Sequence, residues 1–251
     1  FLALLNEVIG NTRLVLVLDE FEIIYRRFGS TKADEVIAYL RAQTVTYTWL
    51  ALALVGLSDL NDLSLFYGSS LLGWESIRVS FLDAELVKDV LANPPQDPDF
   101  PLGYTPEALH AIANLTNGQP YLVQVIGDRL VQRYNRIVFT EQREHSGLFD
   151  LNDVQTVLED PSFYATAAAY FEGVWRQAVR GQEGEVIILK ALAKHNDGLD
   201  KEAFQTIAGL DPTTFARSLE ALQRHDVLSC KDNYVHYAVP LMSRWVRDTR
   251  L

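Results

Sequence analysis

Leu14-Val15-Leu16-Val17-Leu18-Asp19-Glu20-Phe21 is the stretch on which the reading of this chain turns. Five successive branched apolar residues fit a strand buried on both faces, as in parallel sheets covered by helices. The run is short and alternates leucine with β-branched valine, which favours strand over a piece of buried helix. Two carboxylates, Asp19 and Glu20, arrive together where the strand ends. In open α/β sheets the ligand crevice lies outside the carboxyl ends of the strands, so this spacing places the acids for chemistry. A strand end opening into a solvated acidic loop, helped by Glu22, accounts for the same octapeptide.

Residues 2–10 read as a helical prelude, with Asn11-Thr12 turning into the strand. Beyond it, a helix is expected from about Lys32 to Gln43, with Val36, Ile37 and Leu40 on one face and Ser30 or Thr31 as cap. Trp49–Val55 is a second apolar run, ended by Gly56. Strand, helix, strand at this spacing predicts a crossover unit with parallel strands. The second strand leads into Gly56-Leu57-Ser58-Asp59-Leu60, where a nucleophile elbow would need a second glycine at the Leu60 position. No histidine is placed to serve as its base, so a hydrolase triad is excluded.

A hydrophobic strand closing on Asp-Glu resembles the Walker B element of P-loop ATPases. The resemblance implies that Asp19 is the metal-side acid, holding Mg²⁺ through water, and that Glu20 is the catalytic base. It also points to the next strand end, where such ATPases carry a polar sensor residue facing the γ-phosphate or the attacking water. Ser58 or Asp59 falls there, and Ser58 fits better because an aspartate brings more negative charge towards phosphate. Either residue also suits the cap of a turn.

Downstream, Ile77–Phe81 reads as a third short strand on which Arg78 points outward, as a surface residue or as an arginine acting on a neighbouring subunit. A helix capped by Asp83 follows, with Leu86, Val87, Val90 and Leu91 as its buried stripe. It stops before the proline-rich residues 93–101. Thr105-Pro106 opens the next helix, with Leu109, Ile112 and Ala113 inward and Asn117-Gly118 closing it. Gln119-Pro120-Tyr121-Leu122-Val123-Gln124 then starts a helix reaching about Asn135, with Leu122, Val125, Ile126 and Leu130 buried.

Gly118–Gln124 resembles the Gly-x-Pro-Tyr-Leu-x-Gln signature of the helical lid in STAND-type, AAA+-like ATPases of the archaeal-ATPase kind. By that resemblance Gln119, Pro120 and Tyr121 lie near the nucleotide, where a proline-started helix turns its free amides and positive dipole end to the preceding loop. A helical hairpin with good turn chemistry explains the same residues. The three matches occur in the family's order across residues 14–135, about half of the chain.

One departure bears on all of this. No glycine in the sequence is followed by lysine, so the phosphate-binding Gly-x-x-x-x-Gly-Lys-Ser/Thr loop is missing. In the family that loop precedes the Asp-Glu strand. A chain opening at Phe1 with a helix already entering a strand reads as cut. The expectation is therefore that ATP and Mg²⁺ serve the intact protein and that this fragment alone binds neither and is inactive.

Residues 136–162 hold Ile137-Val138-Phe139, a charged stretch in which His145 reads as solvated, and a helix capped near Asp150 or Asn152 and ended by Pro161. Phe163, Tyr164, Tyr170, Phe171, Val174 and Trp175 then recur at helical spacing and read as packing. From Glu183 the pattern resembles a winged helix: helices at 183–195 and 200–208, a third opened by Asp211-Pro212, a hairpin over 227–239 and a last helix with Trp245. The third helix is the usual groove reader of that module, and Thr213, Thr214, Arg217, Arg224 and, on the wing, Lys231 are its candidate contacts.

Charge argues against DNA as a general partner. The chain carries 22 Lys+Arg against 33 Asp+Glu, for a net −11, and residues 183–251 hold 9 against 10. Such a surface repels a phosphate backbone, so nucleic-acid contact must be local. A single cysteine, Cys230, excludes an intrachain disulfide framework and fits a reducing, cytoplasmic setting. Its place in an expected strand makes it an inert buried thiol. The longest apolar run is too short for a membrane span, which needs about 20 residues.

The expected architecture is thus α/β plus all-α. Residues 1–82 would form a partial parallel-sheet core, 83–180 the helical lid and connecting helices, and 181–251 the winged helix. The expected function is a signalling ATPase switch working with protein partners or by self-association. A DNA-binding initiator-like or transposition-helper ATPase, or a nucleotide-free interaction scaffold, are the alternatives.

Overall fold

The computed structural model describes residues 2–56, 74–92, 101–179 and 183–251, and of residues 25, 26 and 30 the backbone alone. It is mostly helical with small sheets and divides into two compact units, Phe1–Arg78 and Val79–Leu251. Ser58, Asp59 and most of the proline-rich segment lie outside the described residues.

The first unit contains α1 (Leu2–Val8), β1 (Leu14–Leu18), α2 (Glu22–Phe28), α3 (Ser30–Thr46) and β2 (Leu50–Leu54). β1 and β2 pair in parallel, Leu14 opposite Leu50 through Leu18 opposite Leu54, as the strand–helix–strand spacing requires. Both ends of the pair are tied. Leu14 N–H donates to Trp49 O at 2.9 Å, and Val55 N–H donates to Leu18 O at 2.9 Å. Phe21, Ala33, Ile37 and Leu50 are the buried apolar residues of this unit among those described.

β1 is not buried on both faces as its composition predicts. Val15 is 60% exposed and Val17 56%. Among the described residues β1 has one strand neighbour, and α3 packs on β2 rather than on β1. Composition sets which residues are able to be buried, whereas cover depends on the layers present. Two further expectations change. α3 starts at Ser30, behind Gly29 at φ 79°, and no side chain caps it. Ile77–Phe81 forms no strand, and Ile77 and Val79 are exposed, because no described strand takes up their backbone groups.

The second unit begins with α4 (Ala84–Ala92), whose cap Asp83 accepts from Leu86 N–H at 2.9 Å. Val87 and Leu91 are buried there, while Leu86, expected on the buried stripe, is exposed. β3 (Gly103–Tyr104) leads into α5 (Pro106–Thr116), then α6 (Pro120–Asn135) and a π-helical turn over Arg136–Thr140. β4 (Leu148–Phe149) pairs in parallel with β3. α7 (Leu151–Glu159) and α8 (Pro161–Val179) follow. Thr105 caps α5, and Asp150 with Asp153 forms a reciprocal capping box on α7.

The last stretch runs α9 (Glu183–Leu192), β5 (Leu199–Asp200), α10 (Lys201–Ala208), α11 (Pro212–Arg224), β6 (Leu228–Lys231), β7 (Tyr234–Tyr237) and α12 (Pro240–Arg250). Its strands form an antiparallel sheet in the order β5-β7-β6. Asp200 and Asp211 cap α10 and α11 through their side chains. Cys230, expected buried, is exposed, because only Leu228 of the edge strand β6 is covered.

One hydrophobic cluster runs through this unit from Val87 to Val246. Its aromatic seam joins α8 to α12: the Phe171 ring lies flat on Trp245 at 5.7 Å, and Trp175 meets the same indole edge-on at 6.2 Å. The Arg250 guanidinium covers Trp245, 4.7 Å from the ring centroid, and also pairs with Glu172.

Candidate functional site

β1 ends on Asp19, and the chain must turn at once to start α2. Glu20 makes that turn with φ 52°, a left-handed conformation that costs a residue bearing a Cβ about 1 kcal/mol. The turn is pinned on three sides. Glu20 N–H donates to Asp19 Oδ1 at 2.8 Å, Ile23 N–H donates to Glu20 O at 2.9 Å, and Phe21 N–H donates to Val55 O at 3.0 Å. Phe21, 2% exposed, anchors the corner in the core. Asp19 and Glu20 are both exposed, so the corner presents two carboxylates to solvent at the carboxyl end of the parallel pair.

Strained backbone persists where surrounding contacts fix it, and it concentrates at functional corners. Carboxylate oxygens are the donors a hard divalent cation takes, and the exposed carboxylate of Asp19 is chemically suited to Mg²⁺ with water completing its shell. The phosphate side does not fit in the same way, since the sequence holds no Gly-Lys pair. Among the described residues no three metal-ligating side chains converge, at this corner or elsewhere.

The Gly118–Tyr121 segment belongs to the second unit, and its geometry explains each residue. Gly118 has φ 70°, its O accepts from Leu82 N–H at 2.8 Å, and a Cβ there would stand 1.8 Å from Leu82 O. Only glycine fits. Gln119 caps α6, its Oε1 accepting from Leu122 N–H at 2.8 Å. Pro120 takes the first helical position and has no N–H to give. Val123 N–H goes to Gln119 O, which leaves Tyr121 N–H as the first-turn amide without a partner in cap or helix. Tyr121 O–H donates to Thr166 O at 3.1 Å, and its ring stacks on Tyr170.

Arg217, Arg224 and Lys231 are exposed on α11 and β6. The amides of Thr213 and Thr214 are taken by Asp211 Oδ1, at 3.1 and 3.0 Å. The Thr214 side chain and these amides hold the Asp211 carboxyl below its ordinary value, and the Ala203 and Glu202 amides with Asn233 do the same for Asp200. Burial pushes the phenols of Tyr104 and Tyr170 up to about 12, and raises that of Tyr237, which donates to Leu189 O.

His145, read from sequence as solvated, is packed. Its side chain is 12% exposed and lies between the Tyr134 and Phe149 rings. Nδ1 accepts from Gly147 N–H at 3.1 Å, and Nε2 stands 3.5 Å from Asp153 Oδ2. Asp153 also faces Arg133 Nε at 3.4 Å and accepts from Asp150 N–H. Of the two caps that the sequence offered, Asp150 and Asn152, the structure selects Asp150, and its reciprocal partner Asp153, which belongs to this cluster, was not singled out. Glu22 was noted only as extra charge, yet it is buried beside the corner.

No family model matches the chain, and no curated protein resembles it closely enough to count as a relative. Among solved structures, a Walker-type ATPase of Pyrococcus abyssi superposes with a TM-score of 0.64 at 19% identity. The superposition covers 97% of this chain and 65% of that one. The described residues include no helix long and apolar enough to cross a membrane. The chain shares its fold with that ATPase and spans about two thirds of that protein's length.

Proposed function

We propose that this chain is part of a STAND-type, Mg²⁺-dependent ATPase that acts as a signalling switch. The observation that carries the reading is the corner at Asp19 and Glu20: adjacent exposed acids, the second in strained backbone, at the end of a parallel strand. The ATPase-like fold supports it. On this reading the β1 end is the Walker B element, Asp19 holds Mg²⁺ through water, and Glu20 orients the attacking water. Bound ATP supplies the phosphoryl group whose loss separates the two states of the switch. Gln119, Pro120 and Tyr121 belong to the lid, with the Tyr121 amide as its free donor. Ser58 or Asp59 is the sensor.

On this reading residues 183–251 are a winged helix, which the order of their elements, helix, strand, two helices, hairpin, helix, supports. With 9 basic against 10 acidic residues there, a protein partner or a second copy suits it better than DNA. A salt-sensitive shift of duplex DNA, abolished in Arg217→Glu, would favour the initiator-like alternative instead.

Calorimetry with Mg·ATP tests the main reading, using this chain and the longest polypeptide encoded in frame with it. The chain alone is expected to show no heat of binding, whereas the longer polypeptide binds. In the longer polypeptide Glu20→Gln keeps binding and loses at least about 100-fold in hydrolysis. Absence of nucleotide binding in the longer polypeptide leaves the scaffold alternative.

A further inference from the structure

The three acids at the β1 corner are unlike one another. Asp19 and Glu20 are exposed, whereas Glu22, the first residue of α2, is 4% exposed, and its Oε2 meets no hydrogen-bond donor among the described residues. Among the described residues it is the buried charged side chain of its unit. Leaving a buried carboxylate unpaired is strongly unfavourable, so folds ordinarily satisfy such groups. Asp153 shows the usual solution, with an amide, a guanidinium and an imidazole around it. Asp34 of α3 and Glu185 near the start of α9 also each have an orphan oxygen. Both glutamates gain from a helix N-terminus, by less than burial costs. What sets Glu22 apart is its place two residues beyond Glu20.

Charge at the corner then decides what Glu22 lacks. Three carboxylates lie within four residues at a strand end that, on the reading above, receives a polyphosphate. A divalent cation at Asp19 offsets part of that charge. A guanidinium or ammonium group reaching Glu22 would satisfy its oxygen and leave a second positive charge at the same strand end. We propose that Glu22 is a positioning residue: its buried carboxylate receives an arginine or lysine side chain that enters as the site is loaded, and holds that cation at the corner. The inference rests on the ATPase reading.

The test sets stability against turnover. In the chain of residues 1–251, where no described side chain pairs with Glu22 Oε2, Glu22→Gln and Glu22→Met raise the midpoint of thermal unfolding, because each removes an unpaired buried carboxylate. In the longest in-frame polypeptide, Glu22→Gln lowers kcat at least about tenfold and leaves KM within about twofold. A merely structural residue cannot give a rise in stability together with a fall in kcat. Dependence of kcat on protein concentration assigns the cation to a second copy, and its absence assigns it to the same polypeptide. The proposal is overturned if Glu22→Gln lowers the unfolding midpoint, or if kcat is unchanged while the wild type is active. A wild-type polypeptide that does not hydrolyse ATP overturns the ATPase reading itself, which is a separate result.

Discussion

Glu20 and Gly118 occupy the same left-handed region of backbone space for different reasons. Gly118 is there because Leu82 O fills the space a side chain would need. Gly118→Ala is therefore expected to destabilise the second unit by about 2 kcal/mol or more, combining left-handed strain with displacement of backbone. Denaturant unfolding at constant m-value measures it, and a change near zero would show that Leu82 moves aside freely. At Glu20 the space is open and only the conformation is strained. Glu20→Gly should thus stabilise the first unit by up to about 1 kcal/mol while abolishing hydrolysis in the longer polypeptide. Loss of stability in that variant would mean that the Glu20 side chain holds the corner, contrary to its exposure.

At the scale of single elements, helix starts were the most legible features of the sequence. Thr105-Pro106, Asp150 and Asp211-Pro212 each act through a side-chain oxygen and amides two or three residues on, so the information is local. Strand cover was not legible, because Leu14–Leu18 looks the same whether or not a layer lies over it. His145 was missed for a related reason: its partners, Tyr134, Phe149 and Asp153, come from elements on either side of it in sequence. At the Asp19 corner the two acids were visible, but neither the strain at Glu20 nor the burial of Glu22 leaves a trace in composition.

The caps also predict a pH dependence. The Asp200 and Asp211 carboxyls titrate below their ordinary value of 3.8 in the folded chain. A depressed folded value means that these groups add stability above the unfolded value, and that the contribution disappears as pH falls through the folded one. Acid unfolding of the Val79–Leu251 unit should therefore steepen below about pH 4. Asp200→Asn and Asp211→Asn, which offer a capping oxygen without the charge, should each flatten that slope, being less stable than the wild type at pH 7 and matching it once the carboxyls are protonated. An unchanged slope in the double variant would rule the caps out as its source.

Considered as a whole molecule, the second unit is held by a seam that joins parts far apart in sequence. Replacing Trp245 by alanine removes the stacking partner of Phe171 and Trp175 together and uncovers Arg250, an expected loss of about 3–5 kcal/mol. Calorimetry is expected to show α8 and α12 melting in one transition in the wild type. Two resolved transitions would mean that the seam is weaker than its geometry indicates.

Tyr121 touches α8 through Thr166 and Tyr170, and one to five residues further along the same helix Phe171 and Trp175 grip α12. α8 is thus a stiff rod with the start of α6 at one bearing and the chain's last helix at the other. A displacement of α8 that begins at Tyr121 is expected to alter the surroundings of Trp175 and Trp245, where a change in tryptophan fluorescence would report it.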